Sequence, residues 1–275
     1  MQELLVLHHV TVAYTTMDGI KPVIRDLSLK IKEGEAIALI GQNGCGKSTL
    51  AHILSGLTPI SRGTLKINPS IQNNIQIVFQ NPDAQIIGDT VYEDVCFGLE
   101  NYCVDPKDIP IRALRALSAV GLRSAANRPV EFLSGGQKQL LCIADALALD
   151  AQVIIFDEVT AMLDPLSRKA ILQMVNHLLN RGKTVLWITQ LLEEVGHFAR
   201  VLALQSGELV FDGTPEDFFF SDHIPENTPC SKLGFVPPFS VQLAHQLLQL
   251  GVLSDERPIL MTALKDAVEK QCQSI

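Results

Sequence analysis

The sequence predicts an α/β fold: a parallel sheet with a phosphate-binding loop, a small antiparallel β region ahead of it, and a helical insert. Three observations carry this. "GQNGCGKST" (41–49) follows the continuous apolar run "AIALI" (36–40) and precedes the helically spaced "KSTLAHILSGL", an order of buried strand, glycine loop and helix. Two more apolar runs, "VIIF" (153–156) and "TVLWIT" (184–189), flank a helical stretch around Ile171 to Leu179, as a βαβ unit in a parallel sheet requires. Between them and the loop, Pro106 to about Leu149 has helical spacing throughout.

Each element follows in order. "VTVAY" (10–14) alternates apolar and polar residues, and "KPVIRDLSLKIKEGE" continues as short strands up to Gly34, which predicts the antiparallel region. In the insert, "IRALRALSAVGL" has apolar residues at Ile111, Leu114, Leu117 and Val120 in a helical pattern, and "QKQLLCIADALAL" is another helix. A hairpin, "VLALQSGELVFDGTP", turns at Ser206 and Gly207. After Phe220 the texture becomes proline-rich and polar, which predicts a linker. Ser240 is then expected to cap a helix with Val241, Ala244, Leu247 and Leu248 on its apolar face and Gly251 at its end; Thr262 is expected to cap a second, carrying Leu264 and Val268.

Composition narrows the function. A chain of 275 residues, 47% hydrophobic and 19% charged, buries a full core. Its net charge of -8 opposes a nucleic-acid partner, because no basic stripe is there to neutralise phosphates. Cys45, Cys96, Cys103, Cys142, Cys230 and Cys272 show no metal-like spacing and are expected as free thiols. The N-terminus carries acidic Glu3 and no basic region before an apolar stretch, unlike a secretory signal. The longest uncharged stretch, Leu233 to Ser254, holds Pro237, Pro238 and several Gln and His residues, unlike a membrane span.

The loop Gly41, Gln42, Asn43, Gly44, Cys45, Gly46, Lys47, Ser48, Thr49 fits G-x-x-x-x-G-K-[ST]. Glycines let successive N–H groups surround a β-phosphate, the helix N-terminus adds partial positive charge, Lys47 neutralises β and γ oxygens, and Ser48 is placed to ligate Mg²⁺. Cys45 reads as a small residue that fits the loop. "VIIFDE" ends a buried strand in two acids: Asp157 would hold Mg²⁺ through water and Glu158 would act as general base. Together with the loop, this pair points to a nucleotide hydrolase.

"LSGGQKQ" (133–139) makes the reading specific. Ser134, Gly135, Gly136 and Gln137 open a helix and offer a second anion-binding N-terminus with no obvious task in their own chain. This resembles the signature of the ABC ATPases, whose dimers sandwich two ATP molecules between the phosphate loop of one protomer and the signature of the other. The resemblance spans about the first 220 residues and implies an ABC-type antiparallel β subdomain and helical subdomain. It further implies that Tyr14 stacks on adenine, that Gln80 in "VFQNP" reaches Mg²⁺ and the attacking water, and that "MLDP" (162–165), with Asp164, crosses the dimer interface. In the family a histidine contacts the γ-phosphate at the end of "TVLWIT"; here Gln190 stands in its place. A glutamine can donate a hydrogen bond there but cannot become cationic.

A narrower resemblance lies in "FQNPDAQIIGDTVYEDVCFGLEN" (79–101), which is similar to the ATP-binding subunits of energy-coupling factor transporters, importers of vitamins and of cobalt or nickel ions. "LGFVPPFSVQLAHQLLQLG" resembles the dimerisation-type extension of those subunits. The resemblance implies an ATPase domain over 1–220 with its helical part at about 85–149, and a linker and extension over 221–275. It implies as partners a second ATPase subunit in a homo- or heterodimer, a transmembrane scaffold docking near 81–101, and a membrane substrate-binding component, with the chain peripheral on the cytoplasmic face. The alternative is a slow or regulatory subunit in a heterodimer. An ABC ATPase acting on DNA or ribosomes would need a long coiled coil or tandem ATPase domains, and the chain has neither.

Overall fold

The computed structural model describes residues 2–16, 19–72, 74–221, 225–254 and 256–273, without the side chains of Thr16, Cys272 and Gln273. The chain opens with β1 (Glu3–Thr16), β2 (Gly19–Lys32), β3 (Ala36–Gly41), α1 (Lys47–Leu54), β4 (Arg62–Ile67) and β5 (Ile75–Val78). Three helices of the insert follow, α2 (Val91–Asn101), α3 (Ile109–Ala119) and α4 (Gly135–Ala148), then β6 (Val153–Asp157), α5 (Pro165–Asn180) and β7 (Thr184–Ile188). The hairpin β8 (Arg200–Gln205) and β9 (Glu208–Gly213) leads to α6 (Pro215–Phe220), α7 (Pro229–Lys232), α8 (Phe239–Gln249) and α9 (Met261–Gln273).

Two sheets form. β2, β1 and β4 make an antiparallel three-stranded sheet, and the main sheet runs β5-β6-β7-β3-β8-β9, parallel except for the final hairpin. Strand alternation divides the main sheet between two cores. Ile37, Leu39, Val153, Ile155, Leu186, Ile188, Leu202 and Leu204 face α1 and the antiparallel sheet. Their neighbours Ala38, Ile40, Ile154, Phe156, Val185, Trp187, Val201 and Ala203 face the insert and the C-terminal helices. Both faces are covered, which is why these strands read as unbroken apolar runs. Trp187, the sole tryptophan, lies wholly buried between Phe156 and Phe198, at ring distances of 5.2 and 5.7 Å, contacts worth about 0.5–1.5 kcal/mol each beyond burial.

The tail departs from expectation in its details. α8 starts at Phe239 behind Pro238, so Ser240 lies inside the first turn and its hydroxyl donates to the Ile259 carbonyl instead of capping. Proline's fixed φ supplies the start that a capping side chain otherwise gives. Thr262 is likewise inside α9, which begins at Met261. Gly251 does end α8, at φ +70. The proline-rich stretch after Phe220 carries α7, capped by Thr228, and plants Cys230 fully in the core. His245 Nε2 sits 2.9 Å from the Phe219 carbonyl, and Val241, Ala244, Leu264 and Ala267 join the same core as the insert. Cys45, Cys96, Cys103, Cys142 and Cys230 are free, and burial pushes the Cys230 thiol up to about 12; the side chain of Cys272 lies outside the described residues. Among the described residues no helix is long and apolar enough to cross a membrane.

Candidate active site

Sheet order and register bring the chemistry together. β6, β7 and β3 are adjacent, with Asp157 opposite Ile188, so the acids at the end of β6, Gln190 after β7 and the loop after β3 leave at one edge. The loop's backbone requires its glycines. Gly44 and Gly46 have φ of +76 and +111, and a Cβ on Gly46 would lie 2.8 Å from Ile24 Cδ1 and 3.0 Å from the Val23 carbonyl oxygen. A Cβ on Gly41 would meet Cys45 Sγ at 2.5 Å and the Leu204 oxygen at 2.6 Å. Gly46 precedes α1 with no side-chain cap, and the first turn holds no acid. The free N–H groups of that turn, around Ser48 and Thr49, are therefore available to an anion.

Lys47 is buried at 5% exposure, and its ammonium donates to the carbonyls of Gly41 (2.8 Å) and Gln42 (3.3 Å). It also lies 3.5 Å from Glu158 Oε1. The other oxygen of that carboxylate, Oε2, accepts from Gln190 Nε2 at 2.7 Å and from Gln80 Nε2 at 3.1 Å. Three residues distant in sequence thus converge on Glu158. Its backbone reverses at φ +50, a left-handed conformation that costs a non-glycine residue about 1–2 kcal/mol. Bonds from its N–H to the Ile188 carbonyl (3.0 Å) and from Ala161 N–H to its own carbonyl (3.2 Å) hold the reversal.

Asp157 beside it is 3% exposed, and its Oδ1 has no hydrogen-bond partner. Burial pushes its carboxyl above the ordinary range, while the Ser48 hydroxyl counters by bonding to it. An orphaned buried carboxylate oxygen next to a hydroxyl suits a hard, oxygen-preferring cation such as Mg²⁺, with Ser48, Asp157 and Gln80 as the residues that would hold it. Cys45 is buried and its thiol is pushed up by burial, which fits an inert space-filling residue. Asn43 and Gln42 line the exposed outer turn of the loop. Tyr14, 42% exposed, pairs with Lys21 on the β1–β2 ladder, next to the strand segment whose Val23 abuts Gly46.

The signature residues remain apart from this cluster. Ser134 caps α4, accepting from Gln137 N–H, while Gln137 Oε1 accepts from Ser134 N–H. Among the described residues no hydrogen bond joins Ser134–Gln137 to the loop. Gly135 is exposed, has no left-handed φ, and a Cβ there would meet no heavy atom within 4 Å; nothing in this chain requires glycine at that position. Asp164 caps α5, accepting from Leu166 and Ser167 N–H, and the Ser167 hydroxyl lowers its carboxyl below the ordinary range.

Several polar contacts at work here were not assigned from the sequence. Gln139, 1% exposed, donates to the Phe79 carbonyl at 3.0 Å and so ties the signature helix to the residue before Gln80. Asp94 accepts from the Ile87 and Gly88 N–H groups at 2.8 and 2.7 Å, and half-buried Asp145 on α4 faces it. Glu194, 2% exposed, accepts three side-chain bonds. An acid inside the apolar run "LLCIADALAL" was the available signal for Asp145.

Comparison with known proteins accords with this geometry. Residues 24–161 match the ABC transporter family. The energy-coupling factor transporter ATP-binding protein EcfA of Methanosarcina acetivorans is 39% identical over 88% of this chain and 89% of its own. EcfA1 of Ligilactobacillus salivarius is 38% identical over 84% of each chain. Among solved structures, cbiO1 of Clostridium perfringens, part of the ABC transporter complex cbiONQ, superposes with a TM-score of 0.69 at 29% identity, covering 80% of this chain and 91% of its own. The ATP-binding cassette MJ0796, solved as a dimer bound to ADP and Pi, gives 0.71 at 28% identity, covering 77% and 99%. The chain belongs to the ABC transporter family, as an ATP-binding subunit of the energy-coupling factor type.

Proposed function

We propose that this chain powers an energy-coupling factor type importer of a vitamin or transition-metal ion, hydrolysing ATP at a site built on Glu158. The observation that carries the reading is the convergence of Gln190, Gln80 and Lys47 on that one carboxylate. Glu158 accepts a proton from the attacking water, and the two amides hold its carboxylate in one orientation. Lys47 and the N–H groups of 44–49 neutralise the phosphates, and Tyr14 stacks on the base. Bound Mg²⁺ would supply charge neutralisation at the β and γ oxygens, held by Ser48, Gln80 and Asp157.

The signature acts on a partner's ATP. Ser134, Gly135, Gly136 and Gln137 are offered to a second ATPase subunit, and the open space beside Gly135 is what a facing phosphate needs. We assign residues 1–220 to the ATPase domain, with 85–149 as its helical part, and 221–275 to an extension that contributes to dimerisation. A transmembrane scaffold docks at 81–101, where Ile87 and Phe97 are exposed, as a helix in a groove. The subunit works peripherally on the cytoplasmic face, and a separate membrane component reads the cargo. Closure on ATP moves the scaffold, and hydrolysis reopens the dimer.

Affinity purification of the tagged chain from detergent-solubilised membranes tests this reading. Recovery of a polytopic membrane subunit and a second copy or relative of the ATPase, with Mg²⁺-dependent ATP turnover, is expected. Purification that recovers no membrane subunit with the chain would contradict the transport role.

A further inference from the structure

We infer that Glu194 is a positioning residue that sets the approach of Gln190 to Glu158; the inference rests on the ATPase reading above and deepens it. Glu194 follows β7 in the turn after Gln190, and it is 2% exposed while its neighbour Glu193 faces solvent. A buried carboxylate persists only if it is well satisfied. Oε2 accepts from Thr189 Oγ1 at 2.6 Å and from Trp187 Nε1 at 2.8 Å, and Oε1 accepts from Thr160 Oγ1 at 2.7 Å. The Arg168 guanidinium stands 3.9 Å from Oε1, and its buried Nε has no hydrogen-bond partner.

These partners fall on the two segments that must meet at the site. Thr189 immediately precedes Gln190, and its hydroxyl also accepts from Leu191 N–H at 3.0 Å, spanning Gln190. Glu194 N–H donates to the Leu191 carbonyl at 3.0 Å, which closes a ring of bonds over 189–194. Thr160, 1% exposed, lies two residues after Glu158, and its carbonyl accepts from Leu163 N–H at 3.1 Å, just before Asp164. Arg168 is in the first turn of α5 beyond Asp164. One carboxylate therefore joins the strand end bearing Gln190 to the turn that carries Glu158 and leads to the partner-facing 162–165. Its two oxygens divide the work, Oε2 toward the Gln190 side and Oε1 toward the Glu158 side. The Gln190–Glu158 distance of 2.7 Å is the quantity this bridge sets.

Isosteric removal of single donors tests the inference in the full-length protein, assayed with MgATP alone and with its second ATPase subunit. Thr160→Val and Thr189→Val are expected to lower kcat about three- to tenfold, because small misplacement of a reacting group is costly, with KM for ATP within twofold of wild type. Glu194→Gln keeps an oxygen for Trp187 and Thr189 and an amide for Thr160, so it is expected to retain kcat within about threefold, whereas Glu194→Leu is not. Emission of Trp187, the sole tryptophan, reports on the pocket: unchanged in the Thr160→Val variant and shifted in Glu194→Leu, which removes the indole's acceptor. A purely structural role would lower the melting temperature of the threonine variants and leave kcat per folded protein unchanged, and that result would overturn the inference. Wild-type protein that fails to hydrolyse MgATP in either assembly would instead overturn the ATPase reading itself.

Discussion

Replacing Gln190 by histidine is expected to speed ATP hydrolysis. In the structure the Gln190 amide spends one N–H on Glu158 Oε2 at 2.7 Å, which leaves one N–H for a phosphate oxygen. An imidazole at the same position can keep a bond to Glu158 and, once protonated, present a charged donor to the γ-phosphate. A charge-assisted bond contributes about 1.5–3 kcal/mol, and every 1.36 kcal/mol of transition-state stabilisation is about tenfold in rate. The full range is therefore roughly ten- to a hundredfold. Gln190 is exposed, so solvent screening favours the lower half. Steady-state ATPase assays of wild type and Gln190→His, at saturating MgATP and equal folded concentration, read the effect in kcat. An unchanged or slower Gln190→His variant, with ATP affinity intact, would refute the reasoning that Gln190 limits the chemical step at this site.

Two further outcomes follow from the geometry. Gly135→Glu adds a side chain where a Cβ meets nothing within 4 Å, so its unfolding free energy should match wild type within about 0.5 kcal/mol; hydrolysis at the facing site of the dimer should fall at least about tenfold, and normal turnover would remove the signature from the reaction. Asp145→Asn tests the half-buried acid on α4, which desolvation first, and then the charge and hydrogen bond of Asp94, hold well above the ordinary 3.8. A raised folded value means the contribution of Asp145 to stability is full below about 3.8 and is lost as pH rises through the folded value. Melting temperatures of wild type and Asp145→Asn should therefore move in favour of the asparagine as pH rises, and a pH-independent difference would show that Asp145 does not hold its proton.

Much of this was legible in the sequence. The unbroken apolar runs at 36–40, 153–156 and 184–189 locate strands covered on both faces, and the glycine loop, the Asp157–Glu158 pair and Gln190 follow as their C-terminal ends. Their adjacency depends on the strand order β6-β7-β3, which periodicity does not encode. The expected caps in the tail lie two residues too late, Ser240 falling inside the turn that Pro238 opens and Thr262 inside the helix that Met261 begins. Glu194 was invisible for a different reason. It stands beside Glu193 in "LLEEVG", and only the packed structure decides which of two adjacent acids turns inward. Gln139 shares that origin: it is a buried polar group whose partner, the Phe79 carbonyl, comes from a distant segment.

The central claim is that Glu158 is the general base of an ATPase that closes on its nucleotide. Glu158→Gln keeps the size of the side chain and removes its ability to take a proton from water. The direct measurement is single-turnover hydrolysis of radiolabelled ATP by this variant, with the oligomeric state followed in the same samples. ATP is expected to stay bound and uncleaved in a dimer, with turnover reduced at least about a hundredfold. Hydrolysis by Glu158→Gln at a rate near that of wild type would contradict it.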